Sequence, residues 1–155
     1  MAVVQRIGVH DYFLQIASTV AKRATCVRRS VGCVLVNDKN HIIATGYNGV
    51  ESKAVHCLDS PCEGAFDPRG ERKGKCSAIH AEDNAIRQCL DSESIQICYT
   101  TISPCPACIK KLLDTPCKAI CFSKYYSNHD GVLAWLKAGR VVIHNGILMR
   151  DRQVQ

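Results

Sequence analysis

The sequence predicts a three-layer α/β/α sandwich, in which helices cover both faces of a β-sheet with a parallel portion. Strand-like and helical segments alternate from residue 79 onward, a pattern typical of α/β folds. Before them, two short apolar segments separated by turn-forming residues predict a β-hairpin. The 155 residues are enough for one domain with a single core.

The N-terminal part predicts one helix followed by the hairpin. Apolar residues recur at helical spacing over 10–23, with Asp11 as the expected N-cap. Residues 31–36 form a short apolar run of strand type, and residues 41–47 form the second strand. The intervening residues 37–40, Asn-Asp-Lys-Asn, have the chemistry of a turn.

A long irregular segment, about residues 49–78, separates the hairpin from the rest of the chain. It is rich in Gly, Pro and charged residues, and it contains Cys57, Cys62 and Cys76. Structureless loops of this length are uncommon in compact domains unless they are functional or held in place. We therefore expect a metal ion to clip this insertion to the domain.

The C-terminal half predicts alternating helices and strands. The predicted segments are a helix at 80–90, a strand at 95–101, a helix at 105–114, a strand at 118–123, a helix at about 129–138 and a strand at 140–144. Pro104 is expected to open the second helix, because the first amides of a helix have no intrahelical partner. Residues 150–155 are expected to be frayed.

Composition excludes several classes of protein. Hydrophobic residues make up 46% and charged residues 22%, as in ordinary globular domains. No apolar run approaches the ~20 residues of a membrane span, and no secretion signal is visible. The odd number of cysteines, 11, favours a reduced, cytoplasmic chain with metal sites over a disulfide framework. The net charge of +6 fits either a solvated basic surface or an anionic partner such as a nucleotide, phosphate or nucleic acid.

Two short motifs carry most of the chemical information. His80-Ala81-Glu82 begins one predicted helix, and Pro104-Cys105-Pro106-Ala107-Cys108 begins the next, with a strand between them. Taken alone, the first motif fits a partly buried histidine, and the second fits a structural zinc pair or a redox dithiol. Together, in this order, they match the His-x-Glu and Pro-Cys-x-x-Cys pattern of zinc deaminases.

The spacing of these residues suits a catalytic metal site. Cys105 and Cys108 share one helix face, and thiolates at a helix N-terminus are stabilised by the helix dipole. With His80, three protein ligands leave a fourth tetrahedral position open for water. Glu82 points about 200° away from His80 on an ideal helix, so we expect it to act as the general acid/base rather than as a ligand.

The sequence resembles the deoxycytidylate (dCMP) deaminase family, within the cytidine deaminase superfamily, from about residue 10 to 145. The matching pieces beyond the zinc motifs are Thr25-Cys26-Val27-Arg28-Arg29, Val31-Gly32, Thr45-Gly46-Tyr47-Asn48-Gly49, His56-Cys57-Leu58-Asp59, Cys62, Cys76 and Asn84-Ala85-Ile86. The resemblance implies that residues 1–155 form a single zinc-dependent deaminase domain with a central five-stranded mixed sheet. It also implies hydrolysis of dCMP to dUMP and ammonia, supplying dUMP for thymidylate synthesis.

The resemblance further implies contacts to the nucleotide. Asn48 would hydrogen-bond it, and Asn84 would face the site. The backbone near Thr101 and Ser103 would accept a hydrogen bond from the exocyclic amine. Tyr126 would stack on or border the base. The alternatives are a turn residue for Asn48, a helix-surface amide for Asn84 and an ordinary half-buried tyrosine for Tyr126.

Arg28 and Arg29 are the candidates for phosphate contacts, because arginine offers planar, bidentate donors. The alternative is a solvated pair of basic side chains. Lys124 is a further candidate for the same contact.

The resemblance implies a second, structural zinc. Cys26, Cys57, Cys62 and Cys76 match positions at or near such a site, and four thiolates would leave no open position. His56 is an alternative to one of the cysteines, and the opposing interpretation is that these thiols are free and packed as small hydrophobic groups. Core packing is expected for the remaining cysteines, Cys33, Cys89, Cys98, Cys117 and Cys121.

Many members of the family are hexamers activated by dCTP and inhibited by dTTP, with Mg²⁺ as an expected companion of a nucleotide effector. Gln88 and Asp91 stand where regulated members carry aromatic and arginine residues. Two other functions stay open: a nucleic-acid-editing deaminase, which calls for a basic face interleaved with aromatic residues, and a zinc module without catalysis.

Overall fold

The computed structural model describes residues 3–68 and 76–151. Its elements are α1 (Val9–Ala21), β1 (Gly32–Val36), β2 (Ile42–Tyr47), α2 (Ala81–Gln88), a 3-10 turn (Ser92–Ser94), β3 (Ile97–Ile102), α3 (Pro106–Leu113), β4 (Ala119–Lys124), α4 (Asp130–Lys137), β5 (Val141–His144) and β6 (Ile147–Met149). Each predicted helix and strand is present within a few residues. Residues 69–75 of the predicted insertion, and residues 152–155 of the C-terminus expected to fray, lie outside the described part.

The strands form one mixed sheet in the order β2-β1-β3-β4-β5-β6. The hairpin strands β1 and β2 pair antiparallel, as the sequence predicts, and β1 also pairs antiparallel with β3. The pairs β3–β4 and β4–β5 are parallel, each joined through a helix. The mixed sheet with a parallel portion is therefore confirmed.

The sheet has six strands, whereas the sequence predicts five. The additional strand β6 pairs antiparallel with β5 through a two-residue turn at Asn145 and Gly146. Both turn residues have positive φ, 50° and 73°, which is the geometry of a tight hairpin turn. The Asn-Gly pair favours this turn strongly, so the signal for the sixth strand was present in the sequence.

Two helices begin at other residues than the sequence predicts. The N-cap of α1 is Gly8, and Asp11 lies in the first helical turn, where a carboxylate favours the positive end of the helix dipole. The N-cap of α3 is Cys105, so Pro106 takes the first helical position in place of Pro104. Proline suits that position because its fixed φ and missing N–H cost the helix nothing there.

Side chains of β1 alternate between the two faces of the sheet. Val34 and Val36 pack with α1, in a cluster that includes Phe13, Ala17 and Tyr99. Cys33 and Leu35 point to the opposite face, where the core is built from α2, α3 and α4 around the fully buried Trp135. The three-layer α/β/α architecture follows from this alternation.

The five cysteines expected to serve as core residues all pack in or against the core, four of them buried and one partly buried. Cys33, Cys98, Cys117 and Cys121 are buried, and the sulfurs of Cys33 and Cys98 lie 3.6 Å apart. Cys89 is half-buried at the end of α2, where its thiol donates to the carbonyl of Asp91.

Within residues 3–68 and 76–151, helices fall short of the length and apolarity required to cross a lipid bilayer.

Helix α2 lies directly against β2 at Gly46. A Cβ atom at Gly46 would lie 2.3 Å from the carbonyl oxygen of Ala81 and 2.4 Å from the amide nitrogen of Ala85. Both distances are far below van der Waals contact, and both atoms belong to helix backbone. The position of α2 on the sheet therefore depends on the absence of a side chain at residue 46.

We predict that Gly46→Ala destabilises the fold by about 1–3 kcal/mol, the usual cost of overpacking, because α2 must move away from β2. Urea denaturation would measure the loss. The matched control is Gly8→Ala, where the nearest atom to the new Cβ is an Asp11 carboxylate oxygen at 3.7 Å. Equal unfolding midpoints for the two variants would contradict the prediction.

Candidate active site

Three metal-ligating side chains converge where two helices begin. His80 is the N-cap of α2, Cys105 is the N-cap of α3, and Cys108 lies in the first turn of α3. The Nδ1 atom of His80 lies 3.4 Å from the Sγ of Cys105 and 3.4 Å from the Sγ of Cys108. Across residues 3–68 and 76–151, this is the one group of three such ligands with all ligand atoms within 4.8 Å of one another.

The donor set of this group fits a zinc ion. Two thiolate sulfurs and one imidazole nitrogen are ligands that zinc prefers, and ligands at ~2.0–2.3 Å from a tetrahedral ion lie about 3.5 Å apart. The observed separations of 3.4 Å agree with that spacing. Cys108 is buried, Cys105 is partly exposed and His80 is exposed, so one side of the group is open to solvent.

The three ligands already interact electrostatically. A hydrogen bond from the Cys108 thiol, together with the neighbouring His80 ring, lowers the pKa of Cys105 to about 4. The hydrogen bond to Cys105 also raises the pKa of His80. The hydrogen bond to Cys105, together with burial, raises the pKa of the Cys108 thiol. These contacts therefore favour the ionised form of the Cys105 thiol, which is the form that binds a metal.

Glu82 lies beside this group, in the first turn of α2. Its side chain is 4% exposed and contacts the thiol of Cys108. Burial raises the pKa of the Glu82 carboxyl, because a carboxylate removed from water is less stable than the neutral acid. Glu82 does not belong to the three-ligand group. A buried carboxyl group with a raised pKa, next to a metal site, can accept and return a proton near neutral pH.

An ion pair joins the two helices that carry the ligands. Asp83 of α2 pairs with Lys111 of α3, and it also pairs with Arg87 one turn further along α2. The side chain of Asp83 is 13% exposed, and these two cations lower its pKa despite partial burial. The sequence alone does not reveal Lys111 as a partner, because only the Asp83–Arg87 pair has the short spacing typical of helical ion pairs.

Four residues proposed as substrate contacts also make internal hydrogen bonds. Asn48 is buried, accepts from the amide of Val31 and donates to the carbonyl of Arg29, both at 2.8 Å. The other three bonds are Asn84 Nδ2 to the carbonyl of Tyr47 at 2.9 Å, the amide of Gly32 to Thr101 Oγ1 at 3.2 Å, and the amide of Tyr126 to Ser103 Oγ at 2.7 Å. Each residue therefore fixes the backbone around the site.

A basic cavity of about 430 Å³ lies beside Ser103, two residues before Cys105. We call it the basic cavity; its lining residues are Arg28, Arg29, Ser30, Ile102, Lys124, Tyr125, Tyr126 and Ser127. The structure thus brings the three basic phosphate candidates together with Tyr126. Arg28 donates to the carbonyls of Gly64 and Asp67 in the insertion, whereas the guanidinium of Arg29 lies 4.5 Å from the ring centroid of Tyr126.

Two of the four cysteines predicted to bind a structural zinc are in contact with each other. The sulfurs of Cys57 and Cys62 lie 3.7 Å apart, and Cys62 contacts the backbone of Ser77, next to Cys76. The segment after Cys57 is tied to the segment before Cys26, because the amide of Leu58 donates to the carbonyl of Thr25. In the described part of the chain, no third ligand atom completes the Cys57–Cys62 pair within 4.8 Å.

His56, the alternative ligand, is about half exposed. Its Nδ1 lies 3.8 Å from a carboxylate oxygen of Asp59.

The chain is similar to a family of known proteins over most of its length. Residues 8–124 match the family described as the cytidine and deoxycytidylate deaminase zinc-binding region. The deoxycytidylate deaminase of Schizosaccharomyces pombe is 33% identical over 88% of this chain and 44% of its own length. That of Mycobacterium phage D29 is 38% identical over 63% of this chain and 80% of its own length.

Solved structures support the same relationship. The crystal structure of a dCMP deaminase from the cyanophage S-TIM5, in complex with dCMP and dUMP, superimposes with a TM-score of 0.74 at 25% identity. The match covers 91% of this chain and 99% of the phage chain. This chain spans somewhat less than half the length of the deoxycytidylate deaminases of Schizosaccharomyces pombe and Saccharomyces cerevisiae.

We predict that Lys111→Met weakens zinc binding up to about fivefold. The reason is that the Asp83–Lys111 pair holds the helix of His80 against the helix of Cys105 and Cys108, and such pairs contribute up to ~1 kcal/mol. Competition with a chromogenic chelator would measure the affinity.

The matched control for this measurement is Arg87→Met, because Arg87 pairs with Asp83 within one helix. We expect zinc affinity to be retained in the control. Equal losses in both variants would show that the tie between helices does not position the ligands.

Proposed function

The chain belongs to the cytidine and deoxycytidylate deaminase family, and on that premise we propose that it converts dCMP and water to dUMP and ammonia. One observation carries this proposal: a His-Cys-Cys ligand group with an open side lies next to the buried carboxyl group of Glu82. A structural zinc site uses four protein ligands, whereas a catalytic site keeps one position for water.

His80, Cys105 and Cys108 are the residues that would hold the zinc ion. A zinc ion in such a site supplies Lewis acidity, which brings the pKa of a water molecule toward ~7. The thiolate character of Cys105 supports this assignment, because metal ligands must be deprotonated to bind.

Glu82 is the proposed catalytic acid/base. It takes a proton from the attacking water and passes it to N3 of the cytosine ring as the water oxygen bonds to C4. It then takes the proton of the resulting C4 hydroxyl and delivers it to the exocyclic amine. The bond from C4 to nitrogen breaks, ammonia leaves, and the carbonyl of uracil remains. The burial of Glu82 supports this role, since a carboxyl group with a raised pKa exchanges protons readily near neutral pH.

We propose that the nucleotide lies between this centre and the basic cavity. Asn48 keeps one N–H for the substrate, because an amide nitrogen has two donors and Arg29 takes one of them. The backbone around Thr101 and Ser103 is proposed to accept a hydrogen bond from the exocyclic amine of the base. Asn84 is proposed to support the site through its bond to Tyr47.

Several finer proposals rest on the family resemblance. They are supply of dUMP for thymidylate synthesis, assembly as a hexamer, activation by dCTP, inhibition by dTTP, Mg²⁺ accompanying an effector, and a cytoplasmic location. Asp91 accepts from the amide of Glu93 and caps the short turn after α2. Regulation in this chain would therefore use other residues than Asp91 for a nucleotide.

We also propose that the insertion holds a structural zinc through Cys26, Cys57, Cys62 and Cys76. The contact between Cys57 and Cys62 supports this proposal, as do the bonds that bring the neighbours of Cys26 and Cys76 alongside them.

We predict two zinc ions per chain by elemental analysis of the purified protein, and one in a Cys57→Ser/Cys62→Ser variant. Cys89→Ser, which changes a half-buried cysteine outside the insertion, should retain both ions. A content of one zinc ion per chain in the wild-type protein would contradict the proposed structural site.

The proposed activity predicts a specific substrate profile. Incubation with dCMP, deoxycytidine, CMP and single-stranded DNA, followed by measurement of ammonia, should give the highest kcat/KM for dCMP. Glu82→Gln should retain zinc and lose at least about 10²-fold in kcat, the lower range for general acid–base groups. Turnover restricted to the polymer would instead indicate an editing deaminase.

No turnover of any of the four compounds by the zinc-loaded protein would indicate a binding module. Full activity of the zinc-loaded Glu82→Gln variant would exclude the proposed acid/base role.

A further inference from the structure

The basic cavity has the charge of an anion-binding site. Among the residues that the structure describes, its lining contains Arg28, Arg29 and Lys124 and no acidic residue. Ser30 and Ser127 line it as well, and a serine hydroxyl can donate a hydrogen bond to an anion. The three cations do not have equivalent surroundings, and the difference between them decides which one can bind a phosphate directly.

Arg28 is engaged with the insertion. Its Nη1 donates to the carbonyl oxygens of Gly64 and Asp67, so this guanidinium ties the insertion to the segment after α1. A side chain that already binds two backbone carbonyls has fewer donors for a ligand. The predicted phosphate contacts of Arg28 and Arg29 are therefore unequal.

Arg29 is held differently. Its guanidinium lies over the face of Tyr126, with 4.5 Å between Cζ and the ring centroid. Cation–π stacking uses the face of the guanidinium and leaves its N–H donors pointing outward in the plane of the group. These donors are suited to bidentate contact with a phosphate in the cavity.

Both members of this pair are anchored through their backbones. The carbonyl of Arg29 accepts from the buried side chain of Asn48 at 2.8 Å. The amide of Tyr126 donates to Ser103 Oγ at 2.7 Å, and the amide of Ser103 donates to the carbonyl of Lys124 at 2.8 Å. The arginine and its aromatic platform are thus fixed relative to the loop that leads into Cys105.

We propose that Tyr126 is a positioning residue for phosphate recognition: its ring holds Arg29 in the orientation that binds the 5′-phosphate of the nucleotide, with Lys124 as the second cation. Because Arg29 covers one face of the Tyr126 ring, the stacking or bordering contact with the base that the resemblance implies would have to use the other face or the ring edge. This inference rests on the proposed function, and it assigns the preference for a nucleotide over a nucleoside to the Arg29–Tyr126 pair.

The test compares Tyr126→Leu with Tyr126→Phe in steady-state assays on dCMP and deoxycytidine. The leucine variant should raise KM for dCMP between about twofold and thirtyfold, the range of cation–π strengths, with kcat retained. The phenylalanine variant keeps an aromatic face and should restore most of the preference for dCMP. Deoxycytidine, which lacks the phosphate, should show no added loss in either variant.

A double variant separates positioning from general damage. Arg29→Met should lower the affinity for dCMP more than Tyr126→Leu does. If the ring acts through the arginine, adding Tyr126→Leu to Arg29→Met should produce no further loss. Additive losses, or equal losses for dCMP and deoxycytidine, would overturn the inference in favour of base stacking.

Calorimetric titration with dUMP and with inorganic phosphate keeps this inference separate from the proposed function. Weaker binding of both ligands in Tyr126→Leu, in a protein that fails to turn over dCMP, would support the phosphate site and refute the activity. Unchanged binding of both ligands, or no binding of either by the wild-type protein, would overturn the phosphate site itself.

Discussion

The convergence of two helix N-termini is the constraint on which the rest of the site depends. His80 and Cys105 are the caps of α2 and α3, so the metal ligands are placed by where the two helices start. Those starts are fixed by backbone contacts, since α2 touches β2 at Gly46 and the segment before α3 touches α4, where a Cβ at Gly131 would lie 2.1 Å from the carbonyl oxygen of Pro104. The geometry of three side chains therefore reflects the packing of whole elements on the sheet.

The ligand group has a buried environment on one side and a basic, exposed environment on the other. On one side, Glu82 is excluded from water and surrounded by helix and sheet. On the other, the ends of β3 and β4, at Ile102 and Lys124, lie at a cavity lined by basic residues. An apolar, enclosed region beside the reacting atoms strengthens electrostatic interactions there, whereas an exposed basic region attracts an anionic group without requiring its full dehydration. The basic region suits the anionic phosphate of the proposed nucleotide.

Local sequence signals predicted the parts of the fold that depend on local physics. Hydrophobic periodicity located the helices and strands, and the spacing of His80, Glu82, Cys105 and Cys108 was enough to predict that three of them share a site. Strand β6 has only three residues, Ile147–Met149, which are too few to show a strand pattern, so the Asn145-Gly146 turn is its one local signal. The sequence does not predict contacts between segments that are distant along the chain. The stacking of Arg29 on Tyr126, the tie from Arg28 to Gly64 and the pair between Asp83 and Lys111 depend on how the elements pack.

The identity of the residue at the cap of α2 has a consequence for the charge balance of the centre. Two thiolates and one uncharged imidazole compensate a divalent cation, which leaves the assembly electrically neutral. A third thiolate in place of His80 would make it anionic, and a net negative charge would oppose loss of a proton from a coordinated solvent molecule. It would also repel the ionised form of Glu82. With zinc bound, the uncharged imidazole of His80 would therefore add no repulsion to the ionised form of Glu82, whereas a thiolate at this position would.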